Sequence, residues 1–325
     1  MIYPIRTLVA AVATLDEQDP VLAPALELAE RTGATLHLVH AFEAPGTVWD
    51  AVAAFAPVDA DAFRLYVEGV QERLEAWARS MTRSGRVRCH AVSGPAAPVI
   101  REVALRERAD LILVGATRHG AFARAVLGTT AQRVIRGAPA PVLIVRGPIP
   151  TRLERVLLTT DLSTFSAGIH EAGLDVLESL CGGEGSEIRS LLVVGYALEL
   201  PPPLRSDRLE ALAERELGEF LRERRARARP VKGVVSFGDP AREIVREAGE
   251  WGADLLVLGT HGRTAPKRWM LGSVAEAAMR GAPCHTLVIP ARVEAQRMLP
   301  VPLDSARPVP DLRAPGAPAP ARSAG

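Results

Sequence analysis

The chain lacks the residues that mark several functional classes. It holds three cysteines in 325 residues, Cys89, Cys181 and Cys284. An odd number with no C-x-x-C spacing offers neither a disulfide framework nor a zinc-ribbon pattern, so buried, reduced thiols are expected and no metal site is read from the spacing. Excess charge is missing too: 39 basic residues meet 38 acidic ones, a net charge of +1. That balance removes the bulk field that draws nucleic acid or an anionic bilayer, and neither partner is expected. Lysine is nearly absent, Lys232 and Lys267 standing against arginine everywhere else, a compositional bias that discriminates nothing. No run approaches the ~20 apolar residues a membrane helix needs. The opening MIYPIRTLVAAVA carries one arginine and a short apolar run that suits a first strand better than a signal sequence, so a cytoplasmic protein is expected.

What the chain does have is an internal copy of itself. Leu113–Arg146 (LVGATRHGAFARAVLGTTAQRVIRGAPAPVLIVR) and Val257–Pro290 (VLGTHGRTAPKRWMLGSVAEAAMRGAPCHTLVIP) align throughout, the second 144 positions after the first. A tandem duplication follows, each unit of about 145 residues being long enough to bury its own core. Residues 1–147 form the first expected domain, 148–154 a linker and 155–292 the second. The stiff run Gly147–Thr151 (GPIPT) leads from the first domain into the linker and favours docked halves over tethered ones. Residues 293–325 are rich in proline and alanine without apolar periodicity and are expected to be a disordered tail.

Each half alternates apolar runs with helical spacing. In the first, strands are expected at Thr7–Ala13, Thr35–Ala41, Arg86–Val92, Asp110–Val114 and Val142–Val145. Helices are expected at Pro20–Arg31, Asp59–Arg83, Ala97–Arg108 and Thr129–Arg136. The second half repeats the order with strands at Arg155–Thr160, Glu187–Tyr196, Val231–Phe237, Asp254–Leu258 and Thr286–Ile289. Its helices fall at Ser166–Leu180, Asp207–Arg227, Ala241–Glu250 and Ser273–Arg280. Strands alternating with helices predict an α/β fold of two tandem, doubly wound domains, each a five-stranded parallel sheet with helices on both faces.

The chemistry concentrates in the repeated segment. In the second copy Gly259-Thr260-His261-Gly262 follows a buried strand, and after nine residues Gly272-Ser273 opens a helix. Two sets of backbone N–H donors converging near a helix N-terminus suit a polyphosphate, and a tight turn with a serine N-cap would use the same residues. Asp161 follows the first strand of this half, where an open α/β sheet binds ligands; it suits a nucleotide or a metal, or else it or Ser163 caps the next helix. His119 and His261 have no second His, Cys or carboxylate at ligand spacing and read as exposed loop histidines. Ser163 and Ser166 have no G-x-S-x-G elbow, and no residue stands out as one that must activate water.

From about Arg6 to Ala291 the chain resembles the ATP-binding universal stress proteins, on the strength of that G-x-x-G, nine residues, G-S spacing. The resemblance implies a Rossmann-like fold of the adenine nucleotide alpha hydrolase type, with strand order 3-2-1-4-5. It implies ATP contacts at Gly259, Gly262, Gly272, Ser273 and Val274 and an Asp against the nucleotide at Asp161. Thr159, Thr160, Tyr196 and Ala197 would border the base, and Mg²⁺ would arrive with the nucleotide. Family domains pair through their last strands, which predicts an intramolecular pseudo-dimer joining Val142–Val145 to Thr286–Ile289, with room for a further homodimer. The first half matches Gly259, Gly272 and Ser273 with Gly115, Gly128 and Thr129. It departs with Val12 read in the place of Asp161 and Arg118 in that of Gly262, Arg118 either filling the phosphate path or contacting phosphate as a cation. The expected function is an ATP-binding stress-response module holding its nucleotide mainly in the second half; a scaffold without nucleotide and a slow ATPase stand as alternatives.

Overall fold

Apolar runs of four to six residues, rich in valine, leucine and isoleucine, form the central strands, buried on both faces, while the edge strands are more polar and partly exposed. The computed structural model describes residues 4–16, 19–42, 60–82, 85–116, 127–181, 185–195, 207–222, 230–260 and 271–290. The tail over residues 293–325 lies outside them. The first half runs β1 (Thr7–Ala11), α1 (Leu22–Thr32), β2 (Thr35–Phe42), α2 (Ala60–Met81), β3 (Val87–Ser93), α3 (Ala96–Arg106), β4 (Leu111–Gly115), α4 (Thr129–Ile135) and β5 (Val142–Val145). The second runs β6 (Arg155–Thr160), α5 (Thr164–Cys181), β7 (Glu187–Val194), α6 (Asp207–Arg222), β8 (Val231–Phe237), α7 (Pro240–Trp251), β9 (Leu255–Gly259), α8 (Ser273–Gly281) and β10 (His285–Ile289). Element ends fall within two residues of those expected, apart from the helix expected to reach Arg227, whose last residues are not among those described. No helix among the described residues is long and apolar enough to cross a membrane.

All ten strands join in one sheet of order β3-β2-β1-β4-β5-β10-β9-β6-β7-β8. Within each half the order is 3-2-1-4-5 and every pairing is parallel. The two five-stranded sheets fuse where β10 pairs antiparallel with β5, Thr286 opposite Ile144, Leu287 opposite Leu143 and Val288 opposite Val142. A palindromic strand order about an antiparallel seam relates the halves by an approximate two-fold. Fusion leaves neither fifth strand with an unpaired row of N–H and C=O groups at the middle of the molecule.

Side chains alternate across the sheet into two cores, and both run through both halves. One face gathers Leu8, Leu22, Leu143, Leu158, Val176 and Leu287; the other gathers Ile112, Val134, Val142, Leu256, Ala278 and Val288. Each fully buried leucine or isoleucine contributes about 1.5–3 kcal/mol. The linker is docked. Arg31 of α1 donates to the carbonyl of Pro150 at 3.1 Å, and Ile149 is 95% buried, its exposure being 5%. Buried His285 fastens the seam: its Nδ1 accepts from the Arg146 N–H at 3.2 Å, so Nε2 carries the proton and donates to the Pro148 carbonyl at 3.1 Å. Burial lowers its pKa, in keeping with that neutral tautomer.

The thiols behave as their burial dictates. Cys89 is half-buried and its pKa is raised to about 11 by desolvation, with Glu75 adding to the effect; burial pushes the Cys284 thiol up to about 12. Because the thiolate is the nucleophile, iodoacetamide at pH 8 is expected to leave both unmodified in the native chain and to label both after denaturation. Peptide mapping by mass spectrometry checks this, and rapid native labelling of Cys284 contradicts it.

Candidate functional site

Adjacent strands β6 and β9 send their following loops to opposite faces. Helix α5 packs Ile169, Ala172 and Val176 into the core with Leu158 and Val257, whereas α8 packs Ala275, Ala278 and Met279 into the core with Leu256 and Leu258. The helices that follow β6 and β9 therefore lie on opposite faces, which makes the carboxyl ends of these two strands the switch point at which doubly wound sheets hold ligands.

On the β6 side the chain ties a polar knot. The Asp161 Oδ1 accepts from the Ser163 N–H at 3.0 Å, from the Ser163 hydroxyl at 2.5 Å and from the Ser166 hydroxyl. The Ser166 Oγ also accepts from the Asp161 N–H at 3.1 Å. Ser163, the residue before α5, accepts from the Ser166 N–H at 3.2 Å, so the capping role belongs to Ser163 while Asp161 shapes the loop. Leu162 is held at φ 61°, a conformation that costs a branched side chain, and its N–H donates to the Thr160 Oγ1 at 3.0 Å. Thr159 donates its hydroxyl across to the Val257 carbonyl at 3.2 Å, joining β6 to β9.

On the β9 side Gly259 is the last strand residue and Thr260 is buried. Gly272 donates its N–H to the Thr260 carbonyl at 2.9 Å, and a Cβ at Gly272 would lie 3.4 Å from that oxygen. That is an ordinary contact distance, and the dihedral is one any residue adopts. Gly272 is the N-cap of α8 and no side chain caps the helix. The alternative reading of Ser273 as the cap is thereby corrected: Ser273 is the first helical residue, with Val274 after it. Gly272, having no side chain, offers no acceptor to the first-turn N–H groups of this nine-residue helix, whose partial positive charge faces the switch-point end of the sheet. Among the expected site residues, Thr159, Thr160, Asp161, Gly259, Gly272, Ser273 and Val274 gather around the ends of these two strands. Gly262, Tyr196 and Ala197 lie outside the described residues, as do Arg118, His119, Gly120 and His261. Sequence reading named Ser163 as a possible cap, which it is, but considered Ser166 only as a nucleophile, whereas both hydroxyls bind the Asp161 carboxylate.

The first half builds the same turn before a shorter helix. Gly128 donates to the Ala116 carbonyl at 2.6 Å and caps a helix of seven residues. Strand register also corrects the alignment of the halves. Asp110 accepts from the N–H groups of Arg6 and Thr7, and Asp254 from those of Glu154 and Arg155, which makes Thr7 the counterpart of Arg155. Counting along the strands, Val12 matches Thr160 and Ala13 matches Asp161. The misreading arose because β1 and β6 share apolar character and little identity. A carboxylate still reaches this loop: buried Asp19 accepts from the N–H groups of Ala13 at 2.7 Å, Thr14 at 3.1 Å and Val21 at 2.9 Å.

Comparison with known proteins agrees with this arrangement. The sequence profile of the Universal stress protein family matches residues 4–146 and 153–290. A universal stress protein of Mycobacterium tuberculosis is 26% identical over 200 residues, covering 59% of this chain and 65% of that protein, so the match spans a little under two thirds of its length. A universal stress protein of Thermus aquaticus is 33% identical over 142 residues, 43% of this chain and 98% of its own. Among solved structures, a Pseudomonas aeruginosa protein of unknown function superposes with TM-score 0.66 at 18% identity, covering 90% of this chain and 96% of its own. A universal stress protein from Archaeoglobus fulgidus superposes with TM-score 0.56 at 16% identity, covering 87% and 98%. With two consecutive matches to the family on one continuous sheet, the chain belongs to the universal stress protein family as a tandem, two-domain member.

Proposed function

We propose that this tandem universal stress protein is an ATP-binding module of the stress response, with the nucleotide held in the second half and Mg²⁺ arriving with it. The observation that carries the reading is the α8 N-terminus, whose N–H groups have no capping side chain, set beside the β9 end by glycines at Gly259 and Gly272. Phosphate suits such an end because backbone donors and helix dipole act together. The Leu162 backbone supports it, since a strained residue at the end of a central strand persists only where its surroundings over-determine it, and such residues cluster at ligand sites. Gly262 and Ser273 would complete the phosphate contacts; Asp161, with Thr159, Thr160, Tyr196 and Ala197, would flank the base and ribose. Binding rather than turnover is the proposed role.

Calorimetric titration of ATP into the full chain tests the reading. Wild type is expected to bind one ATP, and Asp161→Ala to weaken binding by about 1–3 kcal/mol if the carboxylate bonds the nucleotide. Melting temperature on the same variant separates the roles: a loss of stability with unchanged affinity assigns Asp161 to the loop knot alone. A wild-type chain that binds no ATP supports the scaffold alternative.

A further inference from the structure

At the far edge of the sheet, near the start of β2 and away from the nucleotide loops, three ligating side chains meet. His37 on β2 and His90 on β3 are diagonal neighbours, Val39 lying opposite His90. Their rings stack with centroids 5.1 Å apart, and His37 Nδ1 lies 2.9 Å from His90 Nε2. Glu107, just after α3, brings Oε2 to 3.8 Å from His37 Nδ1. One ligand atom from each of the three lies within 4.8 Å of the others. Tetrahedral zinc with bonds of about 2.0–2.1 Å separates its ligand atoms by about 3.3 Å, a value these spacings bracket. The cluster opens on a cleft of about 570 Å³ whose lining includes Glu75, Arg79 and Arg88.

The duplicated fold supplies an internal control. Thr35 pairs with Thr7 as Glu187 pairs with Arg155, and Val87 pairs with Leu36 as Val231 pairs with Ile188. By that register His37 corresponds to Arg189 and His90 to Val234; by the matched Asp110 and Asp254, Glu107 corresponds to Trp251. There the Arg189 guanidinium stacks 4.1 Å from the Trp251 ring and pairs with Glu247 at 3.0 Å. The fold thus needs only a packed bridge between strand and helix end at this place. The first half instead puts two imidazoles and a carboxylate there.

We infer that His37, His90 and Glu107 form a binding site for a divalent transition-metal cation of the zinc type, with its fourth position open to the cleft. Burial lowers the pKa of both histidines, the direction that favours the neutral, ligating form of each ring. Arg106 sets the resting state. Its Nη2 lies 3.2 Å from His90 Nδ1 and its Nε 2.9 Å from Glu107 Oε1. A guanidinium only donates, so the His90 proton sits on Nε2 and is given to His37 Nδ1. On binding, that proton moves to His90 Nδ1 and Nε2 takes the metal; Arg106, whose side chain is 53% exposed, swings away. Two neutral imidazoles and a carboxylate then ligate without net proton release.

Cobalt(II) titration of the chelator-treated full chain, followed by visible absorption and competed with zinc, tests the site. One cobalt per chain with the ligand-field bands of a four-coordinate histidine site is expected, displaced by zinc. His37→Gln and His90→Gln should each weaken binding by at least about tenfold, the lower end of what losing even an outer partner costs. His40→Gln, whose ring bonds the Val12 carbonyl, should leave it unchanged. A triple variant, H37Q/H90V/E107Q, removes all three ligands without adding charge and should bind no cobalt while remaining folded. A wild-type chain without four-coordinate cobalt, or undiminished binding in the folded triple variant, overturns the inference.

Discussion

Leu287→Ala is expected to lower the unfolding free energy by about 2–5 kcal/mol and to weaken both halves together. Leu287 is fully buried in β10, opposite Leu143 of β5, and Leu143 in turn sits opposite Leu113 of β4. Shortening it removes apolar contacts from a core that also holds Leu8 and Leu22 of the first half and Leu158 and Val257 of the second. The seam belongs to one hydrogen-bonded sheet, so no weak boundary lies between the halves at which one unfolds alone. Leu287→Asp should leave no folded chain, because the site offers no partner for a buried carboxylate. Denaturant unfolding gives the size of the loss. Hydrogen exchange gives its extent, with the amides of β1 and β6 expected to lose protection in parallel; a first half that keeps its protection would show that the seam joins two independent domains.

The sequence made the strands and helices legible because a buried parallel strand is a continuous apolar run and a covering helix has 3.6-residue periodicity. The seam was also within reach, since two copies of one domain on one chain have two fifth strands to satisfy. Finer register was not. β1 and β6 agree in apolar character without agreeing in identity, and only the matched carboxylates of Asp110 and Asp254 reveal that Ala13, not Val12, faces the role of Asp161. The Asp161 knot was half visible: residue types suggested a cap, but the division of labour between Asp161 and Ser163 depends on which oxygen reaches which N–H. The histidine cluster escaped altogether. His37 and His90 stand 53 residues apart and meet through strand pairing, a relation that linear ligand spacing does not contain.

Gly272→Val is expected to weaken ATP binding by about tenfold or more, some 1.4 kcal/mol, while its twin Gly128→Val leaves ATP binding unchanged. The two glycines are matched in geometry: both are helix N-caps, with φ −64° and ψ 142° at Gly272 and φ −61° and ψ 146° at Gly128. A valine tolerates those angles, so backbone strain enters neither variant. A Cβ would lie 3.4 Å from Thr260 O in one, an ordinary contact, and 3.3 Å from Ala116 O in the other, slightly tighter, so any stability loss is expected to be small and no larger at Gly272 than at Gly128. Function separates them. An N-cap side chain stands beside the first-turn N–H groups, and valine there would obstruct a phosphate without offering an acceptor. Gly262→Arg, which places in the second half what Arg118 places in the first, should weaken ATP at least as much. Calorimetry on the three variants beside wild type decides the location. Loss at Gly128 instead of Gly272 assigns the nucleotide to the first half, and unchanged affinity in all three removes both glycine turns from the ATP site.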